Sequence, residues 1–297
     1  MRRHHRDSSP RAEAVRRRQL GGELRRLRAA AGKSAKEAAE WAGVSTSTLS
    51  KIERGVQAVK IGHVRLLAQL YGVGAPEADT LIRLAREANQ RGWWAAYGDT
   101  VPDWVRTYLD LEQDASELWA YESGLIFGLF QTPAYAEAIT AATQPNADSD
   151  ELARLVAFRT ARQQRLFGDR APSLRVILDE AVLRRPVGGP AVMREQLEHL
   201  SEVAKLPHVS VVVQPFSAGA HPSIGLAFTL LRFADADTAG MDCVYLENAQ
   251  GALYQERPGD VDRYTVMFEQ LSESALSADE SLELVASYAQ SYRASEQ

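Results

Sequence analysis

The chain of 297 residues has one Cys, so no internal disulfide can form, and a reducing cytoplasm is the compartment it suits. No apolar run approaches the roughly 20 residues a membrane span needs, so no membrane partner is expected. The opening MRRHHRDSSPRAEAVRRR is basic but lacks the apolar stretch of a secretory signal. Signatures of catalysis are missing too: no nucleophile elbow, phosphate-cradling glycine loop, metal-binding His pair or paired-Cys motif occurs. No catalytic residue, metal or cofactor is therefore expected, and the chain is not read as an enzyme. What is present is an apolar content of 45%, enough for real cores, in a length that suits about two domains.

Charge is distributed unevenly. Residues 1–72 hold 16 Lys or Arg against 6 Asp or Glu, a net of plus 10, whereas residues 73–297 carry a net of minus 15. A nucleic-acid-binding module joined to a different kind of domain would show this asymmetry, and so would a solvated basic tail.

Pattern in the basic part is more specific. Leu20, Leu24, Leu27 and Ala31 recur at helical spacing, with Arg25, Arg26 and Arg28 largely outside the stripe and Gly32 as the stop. Ser34 and Glu37 form a reciprocal capping box ahead of AKEAAEWA, which stops at Gly43. Ser45 caps a third helix, TSTLSKIER, ending at Gly55. Two more run from Ile61 to Tyr71 and from Pro76 to about Asn89. Between the second and third helices, Ala39 permits close approach, Gly43 makes the turn, and Val44, Leu49 and Ile52 fill the angle, which is the helix-turn-helix pattern.

A major groove about 12 Å wide admits one helix, so side chains left over by the buried stripe of the third helix can meet base edges. Thr46, Ser47, Thr48 and Ser50 are the candidates there, and Lys51, Arg54 and Lys60 are expected to neutralise phosphates of double-stranded DNA. Few Arg, Asn or Gln residues accompany them, so specificity leans on shape, water or the N-terminal arm. The expected organisation is an arm over 1–17 that is disordered when free, a helix-turn-helix domain over 18–90, an aromatic linker over 91–104 and an α+β domain over 105–297. The arm either enters a minor groove or only raises nonspecific affinity. Its His4 and His5 have no ligand spacing. Trp93, Trp94 and Trp104 are expected to pack the linker onto a neighbour.

In the acidic part a helix is predicted over Val105–Leu118, another from about Thr132 and Pro133, and a third over Asp150–Phe167 with Arg154, Arg159, Arg162 and Arg165 on its exposed side. Strands are predicted only from Ser173 onward, in SLRVILDEAVL, HVSVVVQPF, LAFTLLRF, DCVYLE and GALYQE, the last two as a hairpin. Helices are predicted over Ala191–Lys205, Asp260–Leu271 and Asp279–Tyr292. The polar residues Asp179, Glu180, Arg184, Arg185, His221 and Glu247 lack any catalytic motif around them and read as a structural network. The segments QTPAY, with Gln131 and Tyr135, and FSAGAHPS, with His221, are the expected partner or ligand surface, and a pocket near Trp119, Tyr121, Phe127 and Phe130 is the alternative for a small effector.

The stretch KSAKEAAEWAGVSTSTLSKIERG resembles Xre-type helix-turn-helix regulators, similar in fold to phage repressors. It departs from them at Lys33, at Ala35, where Gln is frequent, and at Trp41, where a charge is frequent. LDLEQDASELWAYES, GLFQTPAYAEA, ILDEAVLRRPVGGPAVMREQLEHL, LPHVSVVVQPFSAGAHPS and ALSADES resemble the C-terminal domain of unknown function in actinomycete WhiJ-like, antitoxin-like regulators, with departures near Gly128 and at Phe130. The resemblance implies a DNA-binding regulator, often encoded beside a small partner protein, whose C-terminal domain senses that partner or a signal. A homodimer on a two-fold DNA site is the expected assembly.

Overall fold

The computed structural model describes residues 11–87, 94, 97, 101–168, 171–233, 242–248 and 251–295. They gather into two compact units, Met1–Ala96 with Arg106–Asp114, and Tyr97–Val105 with Ala115–Gln297.

The first unit is a bundle of α1 (Arg11–Ala30), α2 (Ala35–Ala42), α3 (Thr46–Glu53), α4 (Ile61–Leu70) and α5 (Ala75–Glu87), joined by most of α6 (Asp103–Asp114). Leu20, Leu24 and Leu27 of α1 meet Leu49 and Ile52 of α3, Val64 and Leu67 of α4, and Leu81 and Ala85 of α5 in one buried cluster. The punctuation is chemical. Ser34 Oγ accepts from the Glu37 amide at 3.2 Å while Glu37 accepts from the Ser34 amide at 2.9 Å, and Gly43 takes φ +67° to turn the chain.

One expectation for this unit changes. The segment 11–17, expected as part of a disordered arm, is the first two turns of α1, since RAEAVRR has no breaker and consists mostly of strong helix formers. Residues 1–10 and Trp93 lie outside the described residues. α6, which begins just before the expected boundary at residue 105, packs from Arg106 onward in the N-terminal unit.

The second unit is α+β, with one six-stranded sheet in the order β3-β2-β1-β4-β5-β6. Its strands are β1 (Glu117–Glu122), β2 (Ser173–Asp179), β3 (Val209–Gln214), β4 (Phe228–Arg232), β5 (Cys243–Asn248) and β6 (Gly251–Gln255). β1, β2 and β3 are parallel neighbours, joined through α7 (Pro133–Thr143) and α8 (Ser149–Arg162), then through α9 (Glu180–Arg184) and α10 (Pro190–Val203). β4, β5 and β6 continue antiparallel from β1, and β5 and β6 make the expected hairpin. α11 (Pro258–Ser274) and α12 (Ala278–Ala294) follow, and the turn between them closes the outer edge of β3: Val213 accepts from the Leu276 amide and donates to Ser281 Oγ, both at 2.9 Å. Such covering blunts an edge that would otherwise pair with another chain.

β1 corrects the expectation of a helix reaching Leu118 and of strands only from Ser173. It is hydrogen-bonded on both sides, and Leu118, Ala120 and Tyr121 are all fully buried, so its sequence lacks the in-out alternation of a half-exposed strand. Arg159, Arg162 and Arg165 are likewise half-buried and not exposed, because each meets an earlier segment: Arg159 donates to Gln131 Oε1, the Arg162 guanidinium lies against Gly128, and Arg165 donates to the Ala115 carbonyl at 2.9 Å.

α1 carries adjacent glycines in contrasting surroundings. A Cβ on Gly21 would collide with the Ile52 and Glu53 carbonyls of α3, whereas one on Gly22 would meet nothing within 4 Å. Gly21→Ala is expected to lower stability by about 2 kcal/mol through overpacking, and Gly22→Ala to raise it by about 1 kcal/mol through helix propensity, both read by urea denaturation.

Candidate nucleic-acid interface

α3 presents a polar face because its apolar residues are spent inward. Leu49 and Ile52 are buried, while Thr46, Ser47, Ser50, Lys51 and Arg54 are exposed and Thr48 is half-buried. Ser45 Oγ accepts from the Thr48 amide at 3.0 Å and lies 2.9 Å from Thr48 Oγ1, so Thr48 is engaged in the cap and is less available than its neighbours. Arg54 Nε folds back to the Ser50 carbonyl at 3.2 Å. Lys60 is the N-cap of α4, where its side chain makes no capping bond, and Gly62 in the first turn faces open space. Free amides there and the Lys60 ammonium together favour an anion. The expected DNA-contact residues thus lie on one helix and at the start of the next, joined by a short loop.

A buried ion pair missing from the sequence reading holds this helix. Arg28, expected largely outside the stripe, turns inward: its Nε and Nη2 donate to the Glu53 carboxylate at 2.6 and 3.0 Å, and its Nη1 to the Lys33 carbonyl at 3.0 Å. Glu53 follows Leu49 by four residues, so helical period alone placed it inward. The hydrogen bond to Glu53 raises the Arg28 pKa, and burial, then Glu53, pushes Tyr71 beside the pair up to about 12.

Of the residues expected to offer a partner or ligand surface in the second unit, most side chains are buried, while Gln131 borders a cleft and Phe216 to Pro222 are largely exposed. Tyr121, Phe127, Phe130, Gln131 and Tyr135 are buried, and the His221 side chain is 9% exposed. The aromatics are core: Phe127 and Phe130 meet edge to face at 5.3 Å, and Tyr121 packs with Phe228 and Phe268. The polar atoms of QTPAY serve the fold. Gln131 donates to the Ile126 carbonyl at 2.8 Å and accepts from Arg159, Gln163 donates to the Gln131 carbonyl, and Tyr135 Oη accepts from the Ile126 amide at 3.1 Å. Trp119 is half-buried between the guanidiniums of Arg175 and Arg232, 4.2 and 4.1 Å from its ring centre.

Some of these residues do converge. Tyr121 Oη donates to Asp179 at 3.1 Å and lies 3.3 Å from His221 Nε2, which is 3.8 Å from the same carboxylate. Asp179 also caps α9 through the Ala181 amide at 2.8 Å, and Glu180 holds the Phe216 amide and the Tyr288 hydroxyl at 2.8 and 2.6 Å. These bonds tie the segment after β3 to the corner after β2, which is a structural network. Separately, a cleft of about 410 Å³ opens between Gln131, Thr132 and Pro133 on one side and Glu195, His199 and Glu202 of α10 on the other. Burial lowers the His199 pKa against the opposing pull of Glu195.

A capped, exposed helix set across a glycine turn from its support defines a helix-turn-helix protein, and residues 19–81 match the family model of a helix-turn-helix domain. Residues 105–287 match the model of the domain of unknown function DUF5753, and the chain belongs to that family. No curated protein and no solved structure matches it. No helix among the described residues is long and apolar enough to cross a membrane.

Arg28→Met is expected to lower stability by about 3 kcal/mol in urea denaturation, because it strands a buried carboxylate, while Lys51→Met changes it by less than about 0.5 kcal/mol. Burial first, then Glu247, pushes the Glu122 carboxyl from 4.5 up to about 8 against the pull of Arg162. Folding therefore favours its protonated form. The stability it contributes is complete below about pH 4.5 and is lost as the pH rises through about 8. Denaturation curves across that window should flatten in Glu122→Gln by up to about 1.4 kcal/mol per pH unit, the value of one proton.

Proposed function

We propose that this chain is a sequence-specific DNA-binding transcription regulator of the Xre type, in the WhiJ-like class. The observation that carries the reading is the α3 face: Thr46, Ser47 and Ser50 stand exposed beyond a capped N-terminus, with Lys51, Arg54 and Lys60 exposed beside them. Small hydroxyls reach base edges or sugars, and the three cations supply the salt-dependent phosphate term. One such helix reads only a few base pairs. A homodimer on two half-sites about 34 Å apart multiplies that affinity, and this is the assembly we infer.

The C-terminal domain is the regulatory part, answering a small partner protein or another signal by changing DNA affinity. It carries out no catalysis and takes no cofactor in this reading, and the protein works in the cytoplasm. A second reading, a small-molecule sensor, is favoured by the cleft beside Gln131 and His199, which is of ligand size.

A mobility-shift titration against DNA upstream of the chain's own gene tests the proposal. Retardation stronger than on scrambled DNA at moderate salt is expected, and equal retardation rejects the reading. Lys51→Ala should weaken binding to every sequence and reduce the salt slope by about 1, whereas Ser47→Ala should change the sequence preference.

A further inference from the structure

Within the N-terminal unit, α6 buries a charge against α1. Arg17 Nη1 donates to Asp110 Oδ2 at 2.6 Å, and the indole of Trp94 donates to Asp110 Oδ1 at 2.9 Å. The side chains of Arg17 and Asp110 are 12% and 2% exposed. Desolvation pushes the Asp110 carboxyl upward, and Arg17 and Trp94 oppose it. A buried pair of this kind adds little net stability, yet losing either partner is costly, so it fixes geometry more than it adds affinity between elements.

What the pair fixes is the part of α1 that touches the DNA-reading helix. The residue after Arg17 packs against the end of α3: a Cβ on Gly55, at φ +69°, would lie 2.7 to 2.8 Å from Arg18 atoms. One turn further along α1, Gly21 lies against the Ile52 and Glu53 carbonyls with no room for a methyl group. Neither contact has slack, so a shift of α1 at Arg17 must move α3 or break its packing.

α6 belongs to one domain by sequence and to the other by packing. All but its first two residues fall inside the DUF5753 match at residues 105–287, but from Arg106 onward it packs in the N-terminal unit. From Asp114 the chain runs through only Ala115 and Ser116 into β1, the strand hydrogen-bonded on both sides within the sheet.

We propose that α6 is the regulatory connection to the DNA-reading helix, with Asp110 and Arg17 as positioning residues that pass movement between β1 and α3 along α1. The proposal rests on the DNA-binding reading and names how that site is controlled. Coupling is reciprocal, so DNA bound at α3 must be felt at Asp110 and at the indole it holds.

The test uses the full chain labelled with 5-fluorotryptophan, its Trp94 resonance assigned with Trp94→Phe, and titrated with the DNA retarded in the mobility-shift assay. The Trp94 signal is expected to move and to saturate at the same DNA concentration as retardation. Asp110→Asn, which keeps a hydrogen-bond acceptor for the indole but removes the charge, is expected to bind about tenfold more weakly and to lose the Trp94 response. A structural contact alone would leave the wild-type resonance unmoved by DNA. Binding with a silent Trp94 overturns the proposal, as does an Asp110→Asn chain that keeps both wild-type affinity and response. Absence of DNA binding by the wild-type chain removes the functional reading and this inference together.

Discussion

The end of α3 is held without slack, and the rest of the N-terminal unit is arranged around that fact. Gly21 and Gly55 bring the backbones of α1 and α3 to a distance that no side chain would permit, and the Arg28 fork grips Glu53 at the same end. A helix that is to enter a groove must present its opposite end and outer face at a defined angle. Anchoring at Ile52 to Gly55 leaves the Ser45 end and the hydroxyl face exposed. The cost is a carboxylate and a guanidinium taken from water, which is why the pair is bidentate and further bonded to the Lys33 carbonyl.

The second unit solves a different problem. Its sheet has parallel strands on one side of β1 and antiparallel ones on the other, so β1 is the place where two folding patterns meet. The aromatic and amide residues that look like a binding surface on paper are mostly buried instead, Tyr121 against Phe228 and Phe268 on the sheet and Phe127, Phe130, Gln131 and Tyr135 in the segment after β1. QTPAY is a corner in which nearly every polar atom is matched, and buried amides of this sort specify one arrangement of the chain. The cleft beside α10 uses the outside of that corner as a wall. A rigid wall of matched amides is a suitable backing for recognition, since it needs no ordering when something binds.

Legibility differed with the range of the forces involved. The capping boxes, the glycine stops and the inward stripes of the first five helices were readable, because each depends on residues three or four apart. The β5–β6 hairpin was readable for the same reason. β1 was not: ELWAYE follows a helical stretch, its four central residues are apolar without a break, and only partners more than 50 residues away, at Ser173 and beyond, make it a strand. Arg28, Arg159 and Arg162 read as outward-facing cations, and Arg17 as part of the arm, yet each is drawn inward by residues distant in sequence.

The sequence by itself determined the helix-turn-helix, the exposed hydroxyl-lined face of its second helix, the charge asymmetry and the α+β class of the second part, because local hydrogen bonding and hydrophobic period dictate these. Tertiary structure alone decided which charges are buried, where β1 lies, and that α6 packs with the helix-turn-helix bundle although the chain runs on from it into β1. A buried ion pair or a central strand has no local signature: its stability comes from partners that the chain brings together only when it has folded.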